Sequence, residues 1–367
     1  MRERVVVAMS GGVDSSVAAA VLVERGYDVI GATMKLFCYG ETVPNRPCCS
    51  LDSIDDARRV CEKIGVPHYV LNLESAFGRD VIQNFVSEYA AGRTPIPCVR
   101  CNTFTKFRDL LHKADALEAP YIATGHYARS AGGELYRGRD HSKDQSYFLW
   151  GIDRTVVRRM ILPVGDLTKA ETRRLAHSLG LEVVADKPES QDICFVPDGD
   201  HSKVLARYLG DDAPALSPGA FVTSDGRTVG QHNGYARFTI GQRRGLPGGQ
   251  RFAMFVIAIH PDTREVVIGP REELLGLGVI ARGVNWLVDE APGVGSHVQV
   301  QVRHHAKPAA AEVVRFDGDE IELALDEPVS AITPGQSLVI YDDERVLGGG
   351  FIESSRGART ALPIQAA

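Results

Sequence analysis

The sequence predicts an α/β domain built on a parallel sheet, followed by a small central domain and a C-terminal β-barrel. Short apolar strands alternate with amphipathic helices over residues 1–200, which is typical of a parallel sheet covered on both faces. Helices then become scarce, and further strands follow to about residue 352. A chain of 367 residues also exceeds the usual size of one core. We therefore expect domains at residues 1–200, 201–275 and 276–367.

The elements of the first domain follow from apolar periodicity. Strands are predicted at Val5–Ala8, Tyr27–Met34, Tyr69–Leu73 and Tyr121–Thr124. Core-facing helices are predicted where apolar residues recur at helical spacing, namely Ile54, Ala57, Cys61 and Ile64, and then Ile82, Phe85 and Tyr89. A further helix opens with Thr168 and Glu171 at capping-box spacing and stops at Gly180.

The second half of the chain has the texture of a β protein. Asp225-Gly226 predicts a tight turn between two strands, and Phe252–Ile268 predicts a hairpin around His260-Pro-Asp-Thr-Arg264. Strands continue from about Gly276, and the Gly348–Gly350 run predicts a tight bend in a strand.

Composition limits the class of protein. Hydrophobic residues make up 44% of the chain, yet no apolar run reaches the roughly 18 residues of a membrane span. The first residues form a charged tetrad and a strand without a signal-peptide pattern, so we expect a cytoplasmic protein. A net charge of −6 argues against a broadly basic nucleic-acid-binding surface, although it leaves room for a local basic groove.

The strongest local motif is Ser10-Gly-Gly-Val-Asp-Ser-Ser16, which joins the first strand to the first helix. Its glycines allow close approach of a phosphate, its serines are hydroxyl donors, and the helix N-terminus favours an anion. Asp14 could help to hold Mg²⁺. The motif is neither the Walker sequence nor the dinucleotide pattern. It resembles the pyrophosphate loop of the ATP-pyrophosphatase superfamily, whose members cleave ATP to AMP and pyrophosphate while adenylating a substrate.

Other segments narrow the resemblance. They are Ala91–Pro97, Cys98-Val-Arg-Cys101-Asn102, Ala123–Tyr127, Lys143–Leu149, Asp192–Phe195, Thr239–Gly245 and Thr333–Ser337. Together they are similar, in order and along essentially the whole chain, to the tRNA-specific 2-thiouridylases of the MnmA type. The resemblance implies ATP-dependent 2-thiolation of the wobble uridine in tRNAs for Glu, Gln and Lys. It also implies a sulfur donor such as a cysteine desulfurase or a relay protein.

The resemblance assigns a role to each matching position. Ala8, Met9, Ser10, Gly11, Gly12, Val13, Asp14 and Ser15 would cradle the ATP phosphates, and Met34 and Gly125 would line the adenine side. His126, Lys143, Asp144 and Gln145 would touch the tRNA near the target base, and Arg303, His304 and Gln336 would hold it from the barrel. Cys101 would be the nucleophile that frees the sulfur, and Cys194 would carry it as a persulfide.

Cys98 departs from the common pattern, because many family members have an aspartate at this position. The change creates a C-x2-C pair, and the resemblance to members of this subtype implies a 4Fe–4S cluster held by three cysteines as one possibility. Cys98, Cys101 and Cys194 would be the matching trio here, so a persulfide route and a cluster-bound sulfide route both stay open. A structural zinc site and a pair of plain thiols are the other interpretations of the C-x2-C pair.

The remaining cysteines predict little chemistry. Cys48 and Cys49 are adjacent in a predicted loop, a poor spacing for joint metal ligation, and could at most be auxiliary sulfur handlers. Cys38 and Cys61 are expected to be packing residues. Two rival functions remain on sequence grounds. One is an adenylating ligase with a small-molecule acceptor, and the other is a non-catalytic tRNA-binding or iron–sulfur protein.

Overall fold

A computed structural model describes residues 2–37, 51–188, 193–196, 198–249 and 252–357. Its strands are β1 (Arg4–Ala8), β2 (Asp28–Lys35), β3 (His68–Asn72), β4 (Tyr121–Ala123), β5 (Ala128–Ala131), β6 (Glu134–Arg137), β7 (Met160–Ile161), β8 (Pro218–Thr223), β9 (Thr228–Asn233), β10 (Phe255–His260), β11 (Glu265–Gly269), β12 (Leu275–Trp286), β13 (His297–Gln301), β14 (Ala309–Phe316), β15 (Glu320–Ser330), β16 (Ser337–Asp342) and β17 (Arg345–Gly357).

The α-helices are α1 (Val13–Glu24), α2 (Leu51–Lys63), α3 (Glu74–Phe77), α4 (Gln83–Ala90), α5 (Pro97–Arg100), α6 (Phe107–Ala116), α7 (Arg154–Arg159), α8 (Lys169–Ser178), α9 (Glu182–Ala185) and α10 (His201–Leu209). π-helical turns occupy Gly78–Ile82 and Cys101–Lys106, and 3-10 turns occupy Ser146–Phe148, Pro214–Leu216, Tyr235–Arg237 and Arg271–Leu274. Among these helices none is long and apolar enough to cross a membrane.

The first domain is a five-stranded parallel sheet in the order β3-β2-β1-β4-β7. The parallel α/β architecture is therefore confirmed, and the four predicted strands are present with ends within one residue of the prediction. The sequence did not reveal β7, because two residues are too few to show an alternating pattern. Buried Val5, Val6 and Val7 place β1 at the centre of the sheet.

Helices cover both faces of this sheet, as the periodicity predicts. The apolar positions Ile54, Ala57 and Cys61 lie buried on α2. The capping box at Thr168 is confirmed: its side chain accepts from the Glu171 backbone amide, and the Glu171 carboxylate accepts from the Thr168 amide. This cap fixes where α8 begins, immediately before Lys169.

The central domain is a four-stranded sheet in the order β10-β11-β8-β9. The predicted hairpin is confirmed as β10 and β11, and the Asp225-Gly226 turn joins β8 to β9. The sheet packs against the first domain through a shared apolar core, in which Phe221 and Val256 contribute from the central domain and Phe77 and Phe85 from the first. The central sheet is therefore anchored to the first domain.

The last six strands close into an antiparallel barrel in the order β12-β15-β14-β13-β16-β17, with β12 also paired to β17. The predicted C-terminal barrel is thus confirmed. Gly348–Gly350, the predicted bend, lies within β17, where pairing with β16 shifts register between Ile340 and Tyr341. A Cβ on Gly349 would lie 2.9 Å from the Trp150 indole, so the glycine makes room for this side chain of the first domain.

The hairpin β5–β6 leaves the first domain and joins the barrel sheet, where β6 pairs with β17. The first domain and the barrel also share an apolar core. Trp150 and Leu149 of the first domain pack in the same cluster as Val339, Tyr341 and Val346 of the barrel. The barrel is therefore fixed against the first domain by both hydrogen bonds and apolar packing.

Candidate active site

A cavity of about 320 Å³ opens at the carboxyl ends of β1 and β4. Its walls are Ala8–Ser15, Met34, Leu36, Lys106, Phe107, Leu110, Thr124–Tyr127, Lys143, Gln145, Lys169, Lys187, Pro188 and Cys194. Ligands of parallel α/β sheets bind at this end of the strands. The structure thus brings together the predicted phosphate loop, both predicted adenine-side residues, three of the predicted base-side residues and one of the three cysteines.

The phosphate loop is held by its own hydroxyl groups. The Ser15 hydroxyl accepts from the Ser10 backbone amide at 3.1 Å and donates to the Gly12 carbonyl at 3.1 Å. Gly11 has a φ of +71°, and a Cβ there would lie 2.2 Å from the Ser53 carbonyl oxygen. Only glycine fits this position, so the loop can turn sharply into α1 and leave amides at the helix N-terminus directed at the cavity.

Gly125 follows β4 and lies in the same cavity wall as the phosphate loop. A Cβ at this position would lie 2.5 Å from the Ser15 backbone nitrogen and 2.6 Å from the Asp14 carbonyl carbon. The chain after β4 therefore lies directly against the first turn of α1. A larger residue at 125 would push the β4 end away from the phosphate loop.

Asp14 is bound by two neighbouring side chains. Lys169 donates to both of its carboxylate oxygens, at 2.7 and 2.8 Å, and the Tyr127 hydroxyl donates to one of them at 2.8 Å. These contacts connect α1, α8 and the loop after β4 at the cavity floor. The predicted magnesium role of Asp14 would require its carboxylate to be shared with Lys169.

Lysine side chains make the cavity strongly cationic. Lys187 donates to the Gly11 carbonyl oxygen at 3.0 Å and pairs with Asp56, and Lys106 and Lys143 line the opposite parts of the wall. Sequence reasoning missed Lys106, Lys169 and Lys187 as residues of the cavity wall. The one available signal was the capping box before Lys169, because it fixes that residue at the start of α8.

His126 is a neutral imidazole in this cationic wall. The Thr124 hydroxyl and the His126 Nδ1 share a hydrogen bond of 2.8 Å, and the ring packs against Phe107. Removal from water and the charge of Lys106 lower the pKa of His126 to about 3. At neutral pH the ring can therefore donate or accept a hydrogen bond but carries no charge.

The segment Lys143–Gln145 divides its side chains between two environments. Lys143 and Gln145 face the cavity, and the Gln145 amide oxygen accepts from the Tyr127 backbone amide at 3.0 Å. Asp144 is 8% exposed and points inward, where it accepts from the Gly138 amide at 2.9 Å and the Ser146 amide at 3.0 Å. The Asp144 carboxylate thus holds the segment in shape.

The three barrel residues lie outside the cavity wall. Arg303 is exposed and donates to the Ile240 carbonyl oxygen at 3.3 Å, while His304 packs against Phe148 with 4.4 Å between ring centroids. The Gln336 amide donates to the carbonyl oxygens of Thr94 and Pro95, at 3.0 and 3.1 Å. Gln336 therefore supports the loop that leads into the C-x2-C pair.

The cysteines occupy different environments. Cys194 lines the cavity, Cys101 is 5% exposed at the start of a π-helical turn, and Cys98 is exposed on α5. Within the described ranges no three His, Cys, Asp or Glu side chains are grouped to hold a metal ion. The Cys98, Cys101 and Cys194 trio stays a prediction. Burial and Glu62 raise the pKa of the Cys61 thiol to about 11, in agreement with a packing role. Cys38, Cys48 and Cys49 lie outside the described residues.

Three family models match consecutive parts of the chain. Residues 3–198 match the family model described as the tRNA methyl transferase HUP domain. Residues 202–270 match the tRNA methyl transferase PRC-barrel domain, and residues 277–352 match the aminomethyltransferase beta-barrel domain.

Individual relatives are similar over nearly their full length. The tRNA-specific 2-thiouridylase MnmA of Carboxydothermus hydrogenoformans is 46% identical over 364 residues, which is 96% of this chain and 98% of the relative. The protein of that name from Salinibacter ruber is 45% identical over 99% of this chain and 98% of its own length. That of Parvibaculum lavamentivorans is 48% identical over 95% of this chain and 90% of its own. The chain belongs to the family of MnmA-type tRNA-specific 2-thiouridylases.

Proposed function

We propose that this protein replaces the C2 oxygen of the wobble uridine by sulfur in tRNAs for Glu, Gln and Lys, after activating the base with ATP. One observation carries the proposal: the phosphate loop and Cys194 line the same cavity. A site that only bound ATP would not need a thiol in its wall. A thiol facing the phosphate loop can deliver sulfur to a base activated there.

ATP fits the donor groups on the cavity wall. The N-terminus of α1, the serine hydroxyls of the loop and the four lysines supply amides and positive charge for a triphosphate. Met34 and Gly125 would then border the adenine, as the family resemblance implies. Mg²⁺ would accompany the phosphates, with Asp14 as the nearest predicted ligand.

The activation step begins with the uracil C2 oxygen. This oxygen attacks the α-phosphorus, the bond from that phosphorus to the bridging oxygen breaks, and pyrophosphate leaves. Lys169 and Lys187 lie beside the loop and would stabilise the charge that gathers on the pyrophosphate. The product is an adenylated base whose C2–O bond is ready to break.

Sulfur transfer then uses two thiols. The outer sulfur of a persulfide on Cys194 attacks C2, and AMP leaves with the former C2 oxygen. The Cys101 thiolate attacks the inner sulfur, which releases 2-thiouridine and leaves a disulfide between Cys101 and Cys194. A cellular thiol reductant restores both thiols, and a desulfurase or a relay protein reloads Cys194.

Cys101 must become accessible for this step. It lies at the start of the π-helical turn Cys101–Lys106, and π-helical turns are frequent at functional sites because the backbone there is less regular. Lys106, at the other end of the same turn, lines the cavity. Rearrangement of this one turn would expose Cys101 toward the cavity and move Lys106 together with it.

The tRNA would bind across the first domain and the barrel. The target base would leave its stack and enter the cavity beside His126, Lys143 and Gln145, as single-stranded RNA bases do when they are modified. Arg303 and His304 would contact the tRNA backbone from the barrel. We assign Asp144 and Gln336 to supporting roles, because their side chains are committed to internal contacts.

The experiment is a thiolation assay on unmodified tRNA-Glu transcript with ATP and a cysteine desulfurase, with the product nucleoside identified by mass. We expect 2-thiouridine at the wobble position and a requirement for Cys101. Retention of full thiolation in Cys101→Ser would overturn the two-thiol step. Iron and acid-labile sulfide analysis of anaerobically purified protein tests the cluster route, which an iron requirement for thiolation would favour.

The rival functions predict different results in the same assay. An adenylating ligase would release pyrophosphate only when its small-molecule acceptor is supplied, whether or not tRNA is present. A non-catalytic binding protein would release none. Pyrophosphate release that depends on tRNA excludes both.

A further inference from the structure

We infer that Arg137 is a positioning residue that fixes the Lys143–Gln145 segment of the cavity to the C-terminal barrel. The inference rests on the proposed function, because it concerns how the two predicted tRNA-contacting regions are held in one arrangement. Arg137 lies at the end of β6, in the hairpin that leaves the first domain and pairs with the barrel strand β17.

The Arg137 guanidinium contacts both the Lys143–Gln145 segment and the C-terminal barrel. Its Nη1 donates to the Asp144 carboxylate and to the Gln301 amide oxygen, each at 3.2 Å. The guanidinium carbon also lies 3.6 Å from the centroid of the Tyr341 ring, in a cation–π contact with the barrel strand β16. The side chain is 11% exposed, so these contacts are formed largely out of water.

On the cavity side, the contacts continue to the phosphate loop. Asp144 holds the backbone on both sides of Gln145 through the amides of Gly138 and Ser146. The Gln145 side-chain oxygen accepts a hydrogen bond from the Tyr127 backbone amide, and the Tyr127 hydroxyl donates to the Asp14 carboxylate at the start of α1. Removal of the charge opposite Asp144 would therefore loosen the wall that carries Lys143 and Gln145.

On the barrel side, the contacts continue to the predicted tRNA surface. Gln301 is 5% exposed, and its amide donates to the Arg303 carbonyl oxygen at 3.1 Å. A ring nitrogen of His304 lies 3.4 Å from the Asp144 carbonyl oxygen. Arg137 thus stands between Arg303 and His304 on one side and Lys143 and Gln145 on the other.

Arginine suits this position for a physical reason. A planar guanidinium can donate to a carboxylate and an amide in one plane while its face stacks on an aromatic ring, whereas a lysine ammonium is a point charge without a stacking face. We therefore expect Arg137→Lys to restore only part of the function that Arg137→Met loses.

The test uses the full chain with ATP and unmodified tRNA-Glu transcript. Three quantities are measured: the Kd of ATP, the Kd of the tRNA, and the rate of tRNA-dependent pyrophosphate release with both substrates saturating. For Arg137→Met we expect both Kd values to remain near wild type and the release rate to fall about tenfold. The control is Arg282→Met, which removes an exposed arginine that pairs with Glu320 within the barrel and should keep the wild-type rate.

Gln301→Leu gives a second route to the same answer, since it leaves the Arg137–Asp144 pair intact and removes the hydrogen bond from Arg137 to the barrel. It should lower the release rate several-fold with unchanged Kd values. The inference is overturned if Arg137→Met and Gln301→Leu release pyrophosphate at the wild-type rate, or if the ATP Kd rises in parallel with the loss of rate. Absence of tRNA-dependent release in the wild type would instead contradict the proposed function.

Discussion

At the scale of single residues, the cavity combines positive charge with an uncharged imidazole. Burial lowers the pKa of His126, and the charge of Lys106, which lines the cavity, lowers it further, so a lysine that would attract RNA phosphate also favours the neutral histidine. A neutral ring beside the target base can exchange hydrogen bonds with it at no cost of removing a charge from water. This division of roles is consistent with a base-binding cavity.

The pKa of His126 predicts how stability depends on pH. The unfolded chain takes up a proton at this residue below about pH 6.5, whereas the folded protein does so only near pH 3. Its contribution to stability is therefore complete above pH 6.5 and is lost as the pH falls toward 3. We expect His126→Asn to flatten the decline of Tm between pH 7 and 4.5, measured by thermal melts.

His177 is the control, because its pKa is shifted in the opposite direction to that of His126. Its pKa is raised because Glu182 and Asp186 accept from the ring, so its contribution to stability is present at low pH and is lost as the pH rises. His177→Asn should therefore steepen the same decline. Equal slopes for both variants and the wild type would contradict the assignment.

Residue-scale predictions from sequence were best where backbone geometry dictates the residue. Ser10–Ser16 predicted a sharp strand-to-helix loop, and the structure places Ser10–Ser15 in the cavity wall with Gly11 at a positive φ. Lys187 gave no such signal, since a lysine before a proline is ordinary and only the fold brings it to the Gly11 carbonyl. Asp144 matched the family motif, but its burial could not be deduced from spacing.

At the scale of elements, the cavity depends on how closely β4 approaches α1. Gly125→Ala would insert a methyl group 2.5 Å from the Ser15 nitrogen, so the end of β4 must move away from the phosphate loop. We expect ATP affinity to fall at least about tenfold, because close backbone contact is lost at the phosphate site. Equilibrium binding of a fluorescent ATP analogue measures it.

Gly293→Ala is the matched control, because a Cβ there meets no atom within 4 Å. It should bind ATP like the wild type. Wild-type affinity in Gly125→Ala as well would show that the approach of β4 to α1 does not shape the nucleotide site.

The N-terminus of α8 makes a second prediction at this scale. Thr168→Ala removes the capping box and should cost about 1 kcal/mol in the free energy of unfolding. Because Lys169 is the first residue of this helix, ATP affinity should also fall several-fold.

Asp153→Ala is the control for this prediction. It removes the cap of α7, whose residues do not line the cavity, and should reduce stability by a similar amount without weakening ATP binding. Denaturant unfolding and ATP titration separate the two effects, and equal ATP affinities would refute the link.

Apolar patterns predicted the elements that bury side chains in a regular way. The central strand β1 shows a short continuous apolar run because both of its faces are buried, and the capped helix α8 shows helical spacing with a cap at its start. The hairpin β5–β6 was not predicted, since its four-residue strands are half-buried and their partner β17 lies about 200 residues later in the chain. When two strands pair across such a separation, the sequence near either strand does not show which strand is its partner.

At the scale of the whole molecule, the domains share their cores. One apolar cluster joins Trp150 to Tyr341 of the barrel, and another joins Phe85 to Phe221 of the central sheet. The domain boundaries predicted from the sequence suggested separable domains, because the sequence pattern changes near residue 200. Composition carries no information about which buried faces meet, so the shared cores could not be predicted.

An acidic protein that binds tRNA should do so through a local cationic surface. The net charge is −6, yet Arg303 is exposed on the barrel at the predicted tRNA side. Arg303→Ala should weaken tRNA binding and lower the slope of log K against log salt by about one. Arg315→Ala, which removes an exposed barrel arginine paired with Asp317 and Glu320, should leave that slope unchanged. Identical slopes for both variants would place the tRNA elsewhere.

The central claim is that base activation and sulfur delivery share one cavity, with Cys194 as the sulfur carrier. The most direct test is a single-turnover reaction of Cys194→Ser with ATP, unmodified tRNA-Glu transcript and a cysteine desulfurase, in which pyrophosphate and 2-thiouridine are both quantified. Cys61→Ala, a change at a buried packing thiol, is the control that should form both products. We predict that Cys194→Ser releases pyrophosphate in a tRNA-dependent manner and forms no 2-thiouridine. Formation of 2-thiouridine by Cys194→Ser would contradict the account.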